Sequence, residues 1–415
     1  MIEGASTGPC GCYTRCVPRL SPFTGLVFDA AVAGPLDRVT APPYDVISGE
    51  RRLDYLAASP FNVVHLDLAE GPQGADGSAS RYARAADLLA EWERRGVLRR
   101  PSEPCYYAYE MTTPAGGAAP HTVRGLICAM DLEDWGGTVL PHERVMDGPV
   151  QDRLALLRAA RTHLSPVYGT IHGSDGRLET LVREGDPGDA SPFEALDEQS
   201  VRHRMWPVPA DAADLSGLDD QRLLIADGHH RYTTALRYRD ERRRTDGPGP
   251  WDAVLTLVVD SAAERLPVLP FHRVQLAGEA PSLIGDSVPG LTEALAAVDD
   301  DGTVAIVTID AEGELDLRVR RLQAEPPTVR ALHAEILDGR CPPGSLRYLP
   351  DAEEAVATLR RGDAVAVYLL PPTTPERISA VIERGERLPQ KSTYFWPKPR
   401  TGMVMMPLDP AGRAS

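Results

Sequence analysis

The residues with the clearest chemical potential lie in the segment 225–232, which reads IADGHHRY. A short apolar run leads into this segment and a long helical pattern follows it, so its centre is predicted to be the start of a helix. Free backbone N–H groups and the helix dipole at such a start attract anions. Gly228 lets the backbone approach a phosphate closely, and Arg231 can pair with one through two parallel hydrogen bonds. The pattern predicts a phosphate-binding turn made by Asp227, Gly228, His229, His230 and Arg231.

This turn differs from the common nucleotide-binding loops. The sequence contains no GxxxxGK[ST] loop, and the turn is not a GxGxxG dinucleotide fingerprint. His229 and His230 are adjacent, so they point to different faces and do not form a metal-binding pair four residues apart. We expect one of them to contact phosphate or water bound to Mg²⁺ while the other anchors the turn. The alternative is a structural turn capped by Asp227, with both histidines at the surface.

Phosphoryl transfer to an alcohol also requires cations and a carboxylate close to the attacking hydroxyl. Asp45 lies in a loop stiffened by Pro42 and Pro43, which favours a fixed general base. Glu143 and its neighbour His142 are the other candidate catalytic residues, and Glu143 is the candidate Mg²⁺ ligand. The alternatives are a turn cap for Asp45 and an ion pair with Arg144 for Glu143.

Rare residue types mark further candidates, because the basic residues of this chain are almost all arginine. Lys391 and Lys398 are the only lysines, and Asn62 is the only asparagine. Lys391 begins a polar cluster and is predicted to reach a phosphate, since a lysine is a compact charge. Lys398 lies between Pro397 and Pro399, a pattern typical of a surface loop. Asn62 is predicted to bind polar groups of a substrate, with a buried amide that satisfies the backbone as the alternative.

The remaining predicted substrate-binding residues lie close to these candidates along the chain. They are Tyr44 beside Asp45, Arg153 on a predicted helix, and Ser392 and Thr393 in the polar cluster of Lys391. For Arg153 and Arg158 the alternative is an ordinary solvated helix face.

Composition limits the classes of protein. The chain has 415 residues, enough for two or three domains. With 44 basic and 60 acidic residues its formal charge is −16, which excludes nucleic acid as the main partner. No apolar run of membrane-spanning length and no basic, apolar leader occurs, so we expect a cytoplasmic protein without a membrane partner. Six cysteines are too few for a disulfide scaffold; three of them, Cys10, Cys12 and Cys16, form either a metal or redox site or part of a disordered leader.

The elements that must position these residues have a mixed α/β pattern. Residues 1–20 are predicted to be a flexible leader, residues 21–275 a core that contains the strand, turn and helix at 222–244, and residues 276–415 a region of alternating strands and helices. Two prolines make residues 40–48 a rigid loop. The alternation of apolar and polar residues from Asn62 to Leu68 predicts a strand.

Four motifs together resemble a known family, domain-of-unknown-function family 1015. They are DGHHRY at 227–232, APPYDVI at 41–47, LPHER at 140–144 and KSTYF at 391–395. They occur in the order typical of the family, and the resemblance extends from about Phe23 to Leu408.

A second resemblance covers only the strand, turn and helix from about Arg222 to Arg239. This element is similar to the phosphate-binding turn of ParB-like free-serine kinases. The resemblance implies a ParB-like nucleotide-binding element, ATP or ADP as phosphate donor, and the hydroxyl of L-serine or a similar hydroxyl amino acid as acceptor. It implies nucleotide binding by the residues 227–231, whereas the catalytic carboxylate of those kinases has no clear counterpart here.

Three hypotheses follow from the sequence. The first is a small-molecule kinase that uses ATP or ADP with Mg²⁺. The second is a ParB-like nucleotide-binding switch without phosphotransfer. The third is a metal-dependent hydrolase built on His142, Glu143, His229 and His230, although the ligand spacing does not favour it. The sequence leaves the acceptor, the choice of donor and the oligomeric state open.

Overall fold

The computed structural model describes residues 18–71, 80–114, 120–174, 176–188, 193–212, 215, 218, 221–264, 266–282 and 284–409. The three cysteines Cys10, Cys12 and Cys16 lie outside these ranges. Among the helices in these ranges, none has the length and apolar character needed to cross a membrane.

A mixed nine-stranded sheet forms the centre of the first part of the chain. Its order is β6-β11-β8-β12-β5-β4-β10-β9, with β1 paired to β5. Its strands are β1 (Leu20–Ser21), β4 (Cys105–Thr112), β5 (Thr122–Asp131), β6 (Val139–Leu140), β8 (Val167–Ile171), β9 (Phe193–Leu196), β10 (Arg202–Pro209), β11 (Leu223–Asp227) and β12 (Ala253–Asp260). The pairs β11–β6 and β12–β8 are parallel and the others are antiparallel. Together with its helices, this sheet confirms the predicted mixed α/β class.

Eight α-helices within the described ranges accompany this sheet. They are α1 (Ala30–Ala33), α2 (Leu36–Val39), α3 (Gly49–Ala58), α4 (Val64–Asp67), α5 (Arg81–Arg94), α6 (Asp147–Ala160), α7 (Arg177–Glu184) and α8 (His229–Asp246). Ser48 and Ser80 accept hydrogen bonds from backbone N–H groups in the first turns of α3 and α5, which explains where these helices begin. Helices α6 and α8 pack against each other.

A second sheet occupies the later part of the chain, with the order β15-β17-β16-β19-β14-β18. Its strands are β14 (His272–Gln275), β15 (Asp286–Ser287), β16 (Thr303–Ile309), β17 (Leu315–Arg321), β18 (Leu346–Leu349) and β19 (Ala366–Leu369). The helices are α9 (Leu291–Ala297), α10 (Thr328–Leu332), α11 (Ala352–Arg360) and α12 (Pro375–Glu383), with a π-helical turn at His333–Leu337. The predicted alternation is confirmed, and every strand pair of this sheet is antiparallel.

The last segment of the chain returns to the first part. β20 (Tyr394–Phe395) pairs with β13 (Val268–Leu269), and β21 (Met406–Pro407) pairs with β7 (Thr162–His163). A further two-stranded pair joins β2 (Val27–Phe28) to β3 (Leu98–Arg99). One buried apolar cluster contains Leu26, Ile306 and Met405, so it joins side chains from both ends of the chain and from the second sheet. The late segment is therefore placed to contribute to a site in the first part.

The predicted strand from Asn62 to Leu68 is wrong, because Val64–Asp67 forms the short helix α4. The amide oxygen of Asn62 accepts a hydrogen bond from the N–H of Val64 at 3.0 Å, and this contact turns the chain into a helical start. Apolar and polar residues alternate in only a few positions here, too few to distinguish the two-residue period of a strand from the 3.6-residue period of a helix.

Candidate functional site

Five segments of the described chain that are distant in sequence line one cleft of about 480 Å³, part of which is open to solvent, and one of them contributes only Phe271. The first is the loop with Tyr44 and Asp45, and the second contributes Glu143. The third is the turn 226–231, and the fourth is the late segment with Gln390, Lys391 and Thr393. The structure therefore brings Asp45 and Glu143 together with the predicted phosphate-binding turn and the late-chain residues, whereas His142 does not line the cleft.

The loop that carries Asp45 is fixed by local and long-range constraints. Pro42 and Pro43 lead into a 3₁₀ turn at Tyr44–Val46, since a proline fixes its own backbone angle. Just before them, Ala41 and Thr401 exchange backbone hydrogen bonds of 3.2 and 2.7 Å. The structure places the predicted loop here, and Asp45 extends into the cleft from it.

The predicted phosphate turn lies at the N-terminus of α8. Gly228 precedes the helix with φ 96°, a backbone conformation that favours glycine. A Cβ at this position would come within 3.1–3.2 Å of the guanidinium of Arg231. That guanidinium donates to Asp227, to the carbonyl of Pro166 and, at 2.7 Å, to Ser165 Oγ. Arg231 is thus engaged in stabilising the turn.

Lys398 is the functional residue that the sequence reasoning missed. The predicted surface position is wrong: its side chain is 5% exposed, and its ammonium group donates to Asp227 and lies 3.9 Å from Asp45 Oδ2. Burial opposes its charge, but Asp227 and Asp45 raise the pKa of Lys398 above the ordinary lysine value. The signal that could have found it is the scarcity of lysine, which pointed to Lys391, whereas the flanking prolines favoured a loop at the surface.

Asp45 is a carboxylate held between two lysines. Lys391 Nζ donates to its Oδ2, while its Oδ1 is buried without a hydrogen-bond partner among the described residues. Burial alone would raise the pKa of Asp45, but the nearby charges of Lys391 and Lys398 hold it well below its usual value. Asp45 is therefore ionised and has one oxygen free to accept a proton or a hydrogen bond.

Glu143 holds the backbone of the late segment in place. Its Oε1 accepts from the N–H groups of Ser392 and Thr393 at 2.8 and 3.0 Å, and its Oε2 accepts from the N–H of Lys391 at 3.0 Å. Thr393 Oγ1 lies 3.1 Å from Oε1. Burial opposes ionisation, but His142 and backbone N–H groups hold the pKa of Glu143 well below its usual value. We call residues 390–393 the strap; Glu143 binds the N–H groups of its last three residues.

Three histidines support this arrangement, of which His229 and His230 line the cleft and His142 does not. His142 is fully buried, with Nδ1 2.9 Å from the carbonyl of Ile225 and Nε2 2.6 Å from Thr393 Oγ1. His229 Nε2 accepts from the N–H of His142 at 3.3 Å, and His230 Nε2 accepts from the N–H of Met146 at 3.0 Å. Burial lowers the pKa of both His229 and His230, which keeps them neutral and able to accept these bonds.

A buried arginine fixes the other side of the strap. Arg273 on β14 is fully buried, and it donates to the carbonyl groups of Lys391 at 2.9 Å and Gln390 at 3.1 Å. Burial lowers the pKa of Arg273 to about 10. Lys391 adopts φ 54°, so its backbone lies in the left-handed region between the contacts to Glu143 and to Arg273. The second sheet therefore contributes to the site by positioning Lys391.

Of the predicted substrate-binding residues, Tyr44 and Thr393 line the cleft. Arg153 lies behind Tyr44, with its guanidinium 4.4 Å from the ring centroid, and it is buried and paired with Asp67 at 2.6 Å. Arg158 is half exposed and pairs with Glu241, as expected for a solvated helix face. Ser392 is buried, and its hydroxyl donates to the carbonyl of Pro389.

Asn62 does not line the cleft. It is fully buried, and its amide donates to the carbonyl groups of Arg38 at 2.8 Å and Thr40 at 3.3 Å. This is the alternative that the sequence left open for Asn62, a buried amide that satisfies backbone groups.

The predicted Mg²⁺ contact of Glu143 does not fit this geometry, because both of its oxygens already accept hydrogen bonds from the strap. Within the described part of the chain, no group of three or more His, Cys, Asp and Glu side chains is arranged to hold a metal ion. Both ring nitrogens of His142 already form hydrogen bonds. His142 is therefore not free to bind a metal ion as the hydrolase hypothesis requires.

Comparisons with known proteins give one family and several distant structural likenesses. The model of the family described as "Protein of unknown function (DUF1015)" matches residues 20–283, a shorter range than the motifs predicted. No curated protein matches the sequence.

Among solved structures, a free serine kinase in complex with AMP is 15% identical, with a TM-score of 0.35, and the match covers 62% of this chain and 83% of that one. A conserved hypothetical protein from Pyrococcus furiosus is 14% identical with a TM-score of 0.34, covering 66% and 90%. SbnI with a C-terminal truncation, from Staphylococcus aureus, is 11% identical with a TM-score of 0.36, covering 68% and 87%.

Proposed function

The chain belongs to the DUF1015 family of proteins of unknown function, and we propose that it is a small-molecule kinase. It transfers a phosphoryl group from ATP or ADP to the hydroxyl of free L-serine or a similar hydroxyl amino acid. The observation that carries this proposal is one cleft in which Asp45, with a buried and unpartnered oxygen, faces Lys391, Lys398 and the turn at Gly228.

In the proposed reaction the phosphate groups of the donor bind at the N-terminus of α8. The backbone N–H groups of the turn and the ammonium groups of Lys391 and Lys398 offset the negative charge that the transferred group carries. An entering phosphate competes with Asp45 and Asp227 for these lysines, which in the absence of ligand pair with the two carboxylates.

Asp45 is the proposed general base. The acceptor hydroxyl donates its hydrogen bond to Asp45 Oδ1, its oxygen forms a bond to the phosphorus, and the bond between phosphorus and the leaving nucleotide oxygen breaks. The hydroxyl proton passes to Asp45. In a loose transition state this transfer is late, so a carboxylate of low pKa serves mainly to orient the hydroxyl. Glu143 acts in this proposal as a positioning residue, because its oxygens are occupied by the strap.

Phosphorus NMR of the purified protein with Mg²⁺, ATP or ADP and a panel of hydroxyl amino acids and other small alcohols tests this function. We expect a new phosphomonoester signal with the true acceptor. Asp45→Asn should lose turnover by about 100-fold or more and bind nucleotide at least as tightly as the wild type, because one negative charge leaves the phosphate site.

Arg158→Gln is the matched control, because its exposed ion pair with Glu241 lies outside the cleft. A fully active Asp45→Asn variant would exclude Asp45 as the base. Nucleotide binding with no phosphomonoester from any alcohol would favour the ParB-like switch instead.

A further inference from the structure

A second cavity, about 440 Å³ including the part open to solvent, adjoins the phosphate cleft, and Tyr44 and Arg231 line both. This cavity follows α8 from the phosphate turn, since Thr234 lies about one helical turn after Arg231. Leu156 and Leu157 of α6 and Leu164 supply apolar walls. A phosphate donor bound at the turn would therefore have a mostly apolar chamber directly beside its phosphates.

From this juxtaposition we infer that the cavity between α6 and α8 binds the nucleoside of the phosphate donor, with the base packed against Leu156, Leu157 and Leu164. The inference rests on the proposed function and identifies the donor as a nucleotide rather than an inorganic polyphosphate.

The chemistry of the walls fits a nucleobase. Apolar side chains provide the flat contacts that a heteroaromatic ring needs, and a few polar groups provide its hydrogen bonds. The uncharged polar groups here include His163, Thr162 and Ser165, and the walls also contain the charged side chains of Asp67, Arg153 and Arg231. Burial lowers the pKa of His163 to about 4, so the ring is neutral at pH 7; one ring nitrogen bonds the backbone of Ala253, and the other is the acceptor available to a base. The stacking of Arg153 on Tyr44 fixes the tyrosine ring at the passage between the cleft and the cavity.

The other cavity beside the cleft has different walls. It is lined by Arg144, Met146, His333, Asp338 and Gln390, among others, and it meets the cleft only at Gln390 among their described lining residues. Gln390 belongs to the strap, whose backbone Glu143 and Arg273 hold. A nucleotide whose phosphates lie at the turn therefore reaches the cavity between α6 and α8 more directly, and the side of the cleft near Asp45 and Gln390 remains for the acceptor.

Binding of ADP and of pyrophosphate to the full chain, measured by titration calorimetry, tests this assignment. Leu157→Trp fills the cavity and should weaken ADP binding by about tenfold or more, while pyrophosphate binding stays unchanged. Met146→Trp places the same bulk at the other cavity and should change neither affinity. Unchanged ADP affinity in Leu157→Trp, or a loss confined to Met146→Trp, would overturn the inference.

Photolabelling of the wild-type protein with 8-azido-ADP, followed by mass spectrometry of the digest, tests the nucleoside site without depending on whether a variant folds. We expect the label in the segments 147–160 or 162–165. Label in 144–146 or 333–338, or no label in the expected segments, would overturn the assignment. If the wild type binds neither ADP nor pyrophosphate, the proposed function fails; if it binds both and only the Leu157→Trp result is negative, the nucleoside site alone fails.

Discussion

At the scale of residues, the cleft pairs its cations with its own carboxylates. Lys391 pairs with Asp45, and both Lys398 and Arg231 pair with Asp227. Buried charges are retained when they are paired, and removing one partner leaves the other uncompensated. A phosphate that enters this site exchanges one anionic partner for another, so the lysines do not have to be newly desolvated when a ligand binds.

Lys398→Met tests the role of the buried lysine. The change removes a cation from the phosphate site and leaves Asp227 Oδ1 without its partner. We expect pyrophosphate affinity to fall by about tenfold or more, and the free energy of unfolding to fall by about 3 kcal/mol, as measured by calorimetry and by urea denaturation. The matched control is Arg158→Met, an exposed pair for which both quantities should stay near the wild-type values. An affinity equal to that of the wild type would remove Lys398 from the site.

The Lys391→Met variant should change the pH dependence of activity. Because burial favours the neutral form of Asp45, the low pKa of this carboxylate depends on Lys391 and Lys398. Removal of Lys391 raises that pKa, so the acidic limb of the pH profile of kcat should move to higher pH. In the wild type Asp45 is ionised from its unfolded value of about 3.9 upward, and no loss from this group is expected near pH 6. An acidic limb at the same pH in both proteins would contradict this electrostatic account.

At the scale of elements, the glycine before α8 is required by both space and backbone angle. Gly228→Ala would strain a backbone at φ 96° and press a Cβ against Arg231. Gly136→Ala is the matched control, because Gly136 has φ 90° but nothing within 4 Å of the added Cβ. Both variants should lose about 1 kcal/mol of stability, and only Gly228→Ala should lose pyrophosphate affinity. Equal affinity in the two variants would show that the turn does not bind phosphate.

The strap depends on the charge of Glu143. Its folded pKa lies below the unfolded value of about 4.3, so this carboxylate stabilises the fold above that pH and the contribution is lost as the pH falls below it. Glu143→Gln leaves buried N–H groups of the strap without full partners and should cost about 2 kcal/mol at pH 7. Urea denaturation between pH 3 and pH 7, roughly spanning that pKa, should show a flatter pH dependence in the variant. A slope identical to that of the wild type would contradict this role.

Local elements were predictable where a local signal determines them, and contacts between distant segments were not. Ser48 and Thr374 cap the helices that follow them, a contact that the sequence alone can indicate because a capping hydroxyl acts within one turn. The turn at Gly228 and the loop before Asp45 follow from glycine and proline in the same way. The burial of Lys398 depends on Asp227, which is 171 positions away in the chain, and two flanking prolines carry no information about that partner. The occupation of Glu143 by the strap escaped prediction for the same reason.

At the scale of the whole molecule, the residues that the family model matches do not include the whole candidate site. The matched residues 20–283 contain Asp45, Glu143 and the phosphate turn, whereas Lys391 and Lys398 follow them. The apolar core also extends beyond the matched residues, because Phe395 and Met405 lie in one apolar cluster with Leu26. The cleft and the core therefore both depend on the return of the late segment to the first part of the chain.

We accordingly expect this chain to unfold as one cooperative unit and its first part to fail alone. A fragment that ends at residue 283 would expose the apolar surface that Phe395 and Met405 cover in the full chain, and exposed core surface of this kind destabilises a domain strongly. In urea, far-UV circular dichroism and tryptophan fluorescence of the full chain should give coincident transitions. The fragment should show no cooperative transition and no pyrophosphate binding. A fragment that unfolds cooperatively and binds pyrophosphate with wild-type affinity would show that the first part folds alone and that neither lysine is needed, because both the core and the phosphate site would then be complete without the late segment.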